Sequence, residues 1–253
     1  MPLRELARLL VPVACPGCGA PDVRWCAACA SLLAGAPARV EADVPRLDRL
    51  DGVGALPVWA LARYEGPVRG VVVAWKDRGR ADLDGLLGPA AARGAAGLRD
   101  ALAHAVGERP LLVVPAPSSA ASRRARAREH LTPVARAVAG AVGGVPAPAL
   151  RRVRGTDQVG LGARARGGNV AVRVDGRALA RAAGRPPRGA CLLVDDVVTT
   201  GATLAVAERA LEAAGVDVVG AFVLAATPPP GDSARRRRAA SGRPGDPFAP
   251  RPP

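Results

Sequence analysis

The sequence predicts an α/β fold, a mostly parallel sheet flanked by helices, with a small cysteine-rich module ahead of it and a polar tail behind. Three observations predict it. Runs that are apolar without interruption, at 111–114 and 191–194, and a largely apolar one at 216–225, read as strands covered on both faces. Stretches rich in small residues and helical in pattern alternate with them, at 83–106, 123–142 and 202–214. Four of the five cysteines fall in two Cys-x-x-Cys pairs before residue 30, and beyond Pro228 the chain is largely Pro, Gly, Arg and Ser.

Taken in order, residues 1–13 place leucines at the spacing of a short amphipathic helix within a cysteine-rich module, 1–35. Residues 36–57, punctuated by Pro and Gly, read as a linker. The main domain spans 58–227, opening with a strand at 58–64 and a short helix at 68–76. The tail, 228–253, has too little apolar mass to fold and is expected to be a disordered basic segment. Trp25, Trp59 and Trp75 read as core or module-interface anchors.

Composition narrows the function classes. Apolar residues make up 49% of the 253, enough for a real core. Only six residues are aromatic, too few for a face that stacks successive bases. The net charge is +14, and every cation but Lys76 is arginine. Eleven arginines lie between Arg123 and Arg173 against the acids Glu129 and Asp157. Such a cluster suits phosphate oxygens, single-stranded DNA or a solvated helical face, on a background of general Arg, Ala, Gly and Pro enrichment. No run reaches the roughly 18 apolar residues of a membrane span, and charges interrupt any leader-like core. The expectation is a cytoplasmic protein with no membrane insertion, its thiols reduced.

Cys15, Cys18, Cys26 and Cys29 supply four thiolates, the set a closed structural Zn²⁺ site takes. The seven residues between the pairs are fewer than in common zinc ribbons, and redox or disulfide pairs are the competing readings. Cys191, in an apolar run, reads as a packing residue.

The most informative segment is Cys191-Leu-Leu-Val-Asp-Asp-Val-Val-Thr-Thr-Gly-Ala-Thr203. A buried strand delivers Asp195 and Asp196 to where ligands of open α/β sheets bind. Val198, Thr199, Thr200, Gly201, Ala202 and Thr203 then form a turn whose N–H groups and hydroxyls open a helix and suit a phosphate. Two carboxylates would repel a phosphate but accept hydrogen bonds from sugar hydroxyls. The ligand that fits carries a phosphate at one end and a ribose diol nearby, with Mg²⁺ bridging the diol to further phosphate. 5-Phosphoribosyl-1-diphosphate (PRPP) has this layout. The bland reading is a strand end with an ordinary helix cap.

This block resembles the PRPP-binding motif of type I phosphoribosyltransferases. With Tyr64-Glu-Gly-Pro-Val, Trp75-Lys76, Val113-Val-Pro-Ala-Pro117, Thr156-Asp-Gln158, Leu161, Arg164-Ala-Arg166 and Asn169, the chain resembles ComF-type proteins over about 12–227. Those are amidophosphoribosyltransferase-like proteins associated with natural competence. The resemblance implies that Asp195 and Asp196 hold the ribose hydroxyls and act in catalysis, and that 199–203 hold the 5′-phosphate. It puts Pro115, Ala116, Pro117 and Lys76 on the pyrophosphate side, and implies Mg²⁺ with PRPP and a structural Zn²⁺. Single-stranded DNA or a competence-machinery protein is the partner it suggests. Where such proteins usually carry Arg-Gly-Phe-Asn-Gln, this chain reads Arg126-Ala-Arg-Glu-His130. His104 and His130 stand alone in sequence and read as surface or helix-packing residues. The acceptor, turnover, general base and oligomeric state are not written in the sequence.

Overall fold

The computed structural model describes residues 13–47, 54–117, 129–154, 170–183, 189–229 and 231–232. The expected N-terminal helix, the tail beyond 232 and the arginines at 123–128, 164 and 166 lie outside these residues.

A short helix α1 (Ala27–Ser31) closes the second cysteine pair, and β1 (Ala38–Arg39) follows. Then come β2 (Val58–Arg63), α2 (Gly66–Asp77), α3 (Asp84–Ala96), α4 (Arg99–Val106) and β3 (Leu111–Pro115). The second half holds α5 (Leu131–Val142), β4 (Val145–Pro146), β5 (Leu150–Arg154), β6 (Val170–Val174), α6 (Gly176–Ala183), β7 (Ala190–Val198), α7 (Ala202–Ala213) and β8 (Asp217–Ala226).

Six strands form one sheet in the order β1-β2-β8-β7-β3-β4, and β5 pairs with β6 apart from it. Only β1 runs antiparallel in the large sheet. The central strands are apolar over most of their length because helices cover both faces. Strand alternation sends Leu192 and Val194 of β7 into a core with Val134 and Val138 of α5. It sends Cys191 and Leu193 into the opposite core, with Leu204 and Leu211 of α7. Cys191 is buried, its thiol pushed up to about 12 by burial and then by Asp217.

The helix expected over 83–106 is two helices, α3 and α4, separated at Gly97 and Leu98. Glycine weakens a helix interior, and the break lets Leu98, Leu102 and Val106 all reach the core. Within 36–57, β1 extends the sheet edge and Val40, Val44 and Leu47 are buried in the second core. The arms β5 and β6 pair across the fifteen residues 155–169. Among the described residues, no helix is long and apolar enough to cross a membrane.

Candidate functional site

The connections after β3 and β7 leave the sheet in opposite directions. From β3 the chain passes through α5 on one face to the edge strand β4. From β7 it passes through α7 on the other face to β8. The carboxyl ends of the neighbours β3 and β7 therefore flank a switch-point crevice, the place where open parallel sheets hold ligands. β3 leaves its neighbour at Pro115, opposite Val194, with a last bond from the Ala116 N–H to the Val194 carbonyl at 2.8 Å. β7 continues to Val198 against β8 alone. Asp195 and Asp196 thus lie within the last stretch of β7, beyond the reach of β3.

The turn into α7 has the shape of an anion seat. Thr199 and Thr200 are exposed, and Gly201 takes φ +78°, the left-handed region that favours glycine. A Cβ at Gly201 would come within 2.6 Å of Val44 Cγ1 and 2.9 Å of Leu47 Cγ. The Arg46 N–H donates to the Thr200 carbonyl at 2.9 Å, so residues 44–47 back the turn from behind. In front lies a cavity of about 140 Å³ lined by Asp195, Val197 and the run from Val198 to Leu204. The first N–H groups of α7, which lack helical acceptors, belong to this lining.

The adjacent acids point to opposite sides of the sheet, as strand alternation requires. Asp195 lines the cavity, and its Oδ1 accepts the Asp196 N–H at 2.8 Å. Burial, and then the neighbouring Asp196 charge, raise its carboxyl to about 7. Asp196 is 2% exposed and faces α2 and α5. Lys76 Nζ lies 2.8 Å from Asp196 Oδ1 and 2.7 Å from Oδ2, and His130 Nε2 lies 2.8 Å from Oδ2. Burial works against the Asp196 carboxylate, but His130 and Lys76 outweigh it and hold its carboxyl below the usual range. Burial likewise opposes the Lys76 ammonium, and the charges of Asp196, Asp195 and Asp77 overcome it to raise its pKa.

His130 is the residue that sequence reasoning missed: it is 1% exposed, capping α5 beside Asp196. Its ring packs edge-on to Trp75 at 4.8 Å, and Trp75 Nε1 donates to Asp84 Oδ1 at 2.6 Å. With Asp196 ionised, Nε2 is the donor. His130 Nδ1 is buried and finds no partner among the described residues. His104 is exposed on α4. Of the residues expected on the pyrophosphate side, Ala116 and Pro117 are buried, Pro115 is half-buried, and the Lys76 side chain keeps 35% of its surface exposed. The turn they introduce continues into 118–128, outside the described residues.

The four N-terminal cysteines converge, with their Sγ atoms all within 4.8 Å of one another. Cys15 and Cys29 are buried, Cys18 is exposed, and all are free thiols. Sulfurs around one tetrahedral Zn²⁺ at about 2.3 Å bonds sit about 3.8 Å apart, inside that limit, so the donor set fits that ion. Burial opposes the Cys15 thiolate, yet N–H groups of Cys26, Cys18 and Gly17 lower its thiol to about 6. A Cβ at Gly17 would meet Cys29 Sγ at 2.7 Å, which explains the glycine inside the first pair. The knuckle docks on α2: a Cβ at Gly70 would meet the Pro16 carbonyl oxygen at 2.3 Å. Arg80 straps it further, donating to the carbonyls of Ala14 and Arg24.

Residues 133–239, less than half of the chain, match the phosphoribosyl transferase domain. No curated protein matches the sequence. The matched stretch contains β7, the turn and α7, whose geometry suits a phosphate and a sugar. This chain is therefore a phosphoribosyltransferase-domain protein, with a four-cysteine cluster ahead of that domain.

Proposed function

We propose that the protein binds PRPP at the crevice between β3 and β7 and is a phosphoribosyltransferase of the ComF type, acting in or sensing PRPP for DNA uptake. The observation that carries this reading is the cavity bounded by Asp195 and the turn through Gly201. The turn from Thr199 to Thr203 receives the 5′-phosphate through N–H groups and hydroxyls. Carboxylate at the end of β7 receives the ribose hydroxyls. As the anomeric C–O bond to pyrophosphate breaks, the same negative charge stabilises the cationic sugar, and an incoming nitrogen closes the new bond. Mg²⁺ bound with PRPP would supply positive charge for the pyrophosphate, and Asp195, which lines the cavity, would be the acid nearest to it.

Calorimetry with Mg·PRPP is the test, run with wild type and the Asp195→Asn/Asp196→Asn double variant. Saturable binding by the wild type alone is expected. A wild type that fails to bind overturns the proposal. Pyrophosphate release screened across ammonia, purines and pyrimidines then identifies the acceptor.

A second reading, a non-catalytic adaptor for single-stranded DNA, draws on one feature. Arg151 of β5 stands directly opposite Arg173 of β6, both exposed, an arrangement of like charges that costs stability without an anion. Binding that weakens steeply with salt supports it, and a flat, weak response removes it.

A further inference from the structure

A second cavity, of about 290 Å³, opens where the base of β5 meets α6 and the edge strand β4. It shares no lining residue with the cavity at the Gly201 turn. Part of its lining is apolar, Val145, Pro146, Pro148 and Ala178, and part is charged, Arg151, Arg181 and Asp175. Strand alternation turns Arg151 outward from the buried Leu150. On α6, Ala178 and Arg181 lie three positions apart and share the face toward the cavity, while Leu179 enters the second core.

Asp175 is already engaged, because its Oδ1 accepts the Arg177 N–H at 3.0 Å and the Ala178 N–H at 3.1 Å and so caps α6. The Ala178 N–H holds its carboxyl below the usual range against desolvation, aided by the Arg177 N–H and the charges of Arg181 and Arg151. Those two guanidiniums are near enough to act on Asp175, yet among the described residues neither makes an ion pair or a hydrogen bond. Arg151 also stands opposite Arg173 across the strand pair, a like-charge pairing that costs stability. An anion in the cavity relieves that repulsion, and the planar fork of arginine suits phosphate oxygens. A bare phosphate would leave the prolines uncovered. The volume lies near the lower end, about 300 Å³, of pockets that hold small organic ligands.

We propose that this cavity is a second ligand site, separate from the crevice, for a small organic phosphate monoester. Arg151 and Arg181 take the phosphate oxygens, and Pro146 and Pro148 take the organic part. The site does not depend on the phosphoribosyl reading.

Calorimetry on the full chain tests it, with phenyl phosphate and inorganic phosphate as probes. The wild type should bind phenyl phosphate saturably, and inorganic phosphate more weakly. Arg151→Gln and Arg181→Gln should each weaken phenyl phosphate about tenfold, the loss expected of a charged hydrogen bond. Both side chains are exposed, so folding is not at stake. Arg177→Gln removes the same charge from α6 outside the cavity and should change affinity about twofold or less; so should Thr200→Ala, at the Gly201 turn. A wild type without saturable binding overturns the proposal. Equal weakening by Arg177→Gln also overturns it, since the effect is then one of net charge. Weakening by Thr200→Ala alone puts the probe in the crevice and has the same consequence. Inorganic phosphate bound as tightly as phenyl phosphate removes the role of the prolines and with it the organic ligand. Single-stranded oligothymidylate held through Arg151 and Arg181, where phenyl phosphate is not, gives the surface to nucleic acid instead. A chain that binds Mg·PRPP but no phenyl phosphate loses this site and keeps the phosphoribosyl reading.

Discussion

Replacing Gly201 by alanine separates two costs that the structure assigns to one residue. The first is backbone: at φ +78° a Cβ costs about 1–2 kcal/mol. The second is crowding, since the new methyl would sit 2.6 Å from Val44 Cγ1 and 2.9–3.0 Å from Leu47. Overpacking of this kind typically adds about 1–3 kcal/mol. Gly215 supplies the control, with the same φ of +78° and nothing within 4 Å of the place a Cβ would take. Gly215→Ala should therefore carry the backbone cost alone. The two variants should differ by roughly 1–3 kcal/mol, or about 2–12 °C in melting temperature for a chain of this size. Thermal unfolding followed by circular dichroism measures the gap, and calorimetry with PRPP should show weaker binding for Gly201→Ala only. Equal melting temperatures would refute the claim that residues 44–47 form a close wall behind the turn.

Three other outcomes follow from the same geometry. Asp195, raised from 3.8 to about 7, keeps a proton in the folded chain that the unfolded chain has released, so its contribution falls as pH rises from about 4 to about 7. Asp195→Asn should thus resist urea better than wild type at pH 8, and a lower midpoint there would contradict the burial and repulsion assigned to that carboxyl. The purified chain should contain one zinc by elemental analysis, with Cys26→Ser losing it and chelation lowering the melting temperature; a zinc-free, equally stable wild type speaks against a metal role. Gly70→Ala drives a methyl to 2.3 Å from the Pro16 carbonyl oxygen and should cost about 1–3 kcal/mol, speeding zinc loss to a chelator; an unchanged release rate argues against docking of the knuckle on α2.

The sheet was legible wherever burial on both faces forced unbroken apolar runs. Leu111–Val114 and Ala190–Val194 are of that kind. The strand, turn and helix start around Asp195 and Gly201 were legible because their pattern is local, carried by thirteen consecutive residues. β5 and β6 were not, because Leu150-Arg-Arg-Val-Arg154 lacks clean alternation and its partner lies beyond residues 155–169. The Lys76–Asp196–His130 cluster was hidden for a related reason. Its members are 120 and 66 positions from the aspartate, and only the sheet order brings them together. One signal did exist: a single lysine among 35 arginines, at the C-terminal end of an amphipathic helix.

The wall behind Gly201 has a bearing on where this molecule's boundaries lie. The stretch that matches the phosphoribosyl transferase domain begins at residue 133, yet Val44, Leu47 and Lys76 come from well before it. So do three of the six strands of the large sheet, β1, β2 and β3. A fragment cut to the matched span would expose the back of the Gly201 turn and strip Asp196 of Lys76 and His130. The upstream half belongs to the scaffold of the crevice, and severing it dismantles that crevice even though the signature sequence is left whole.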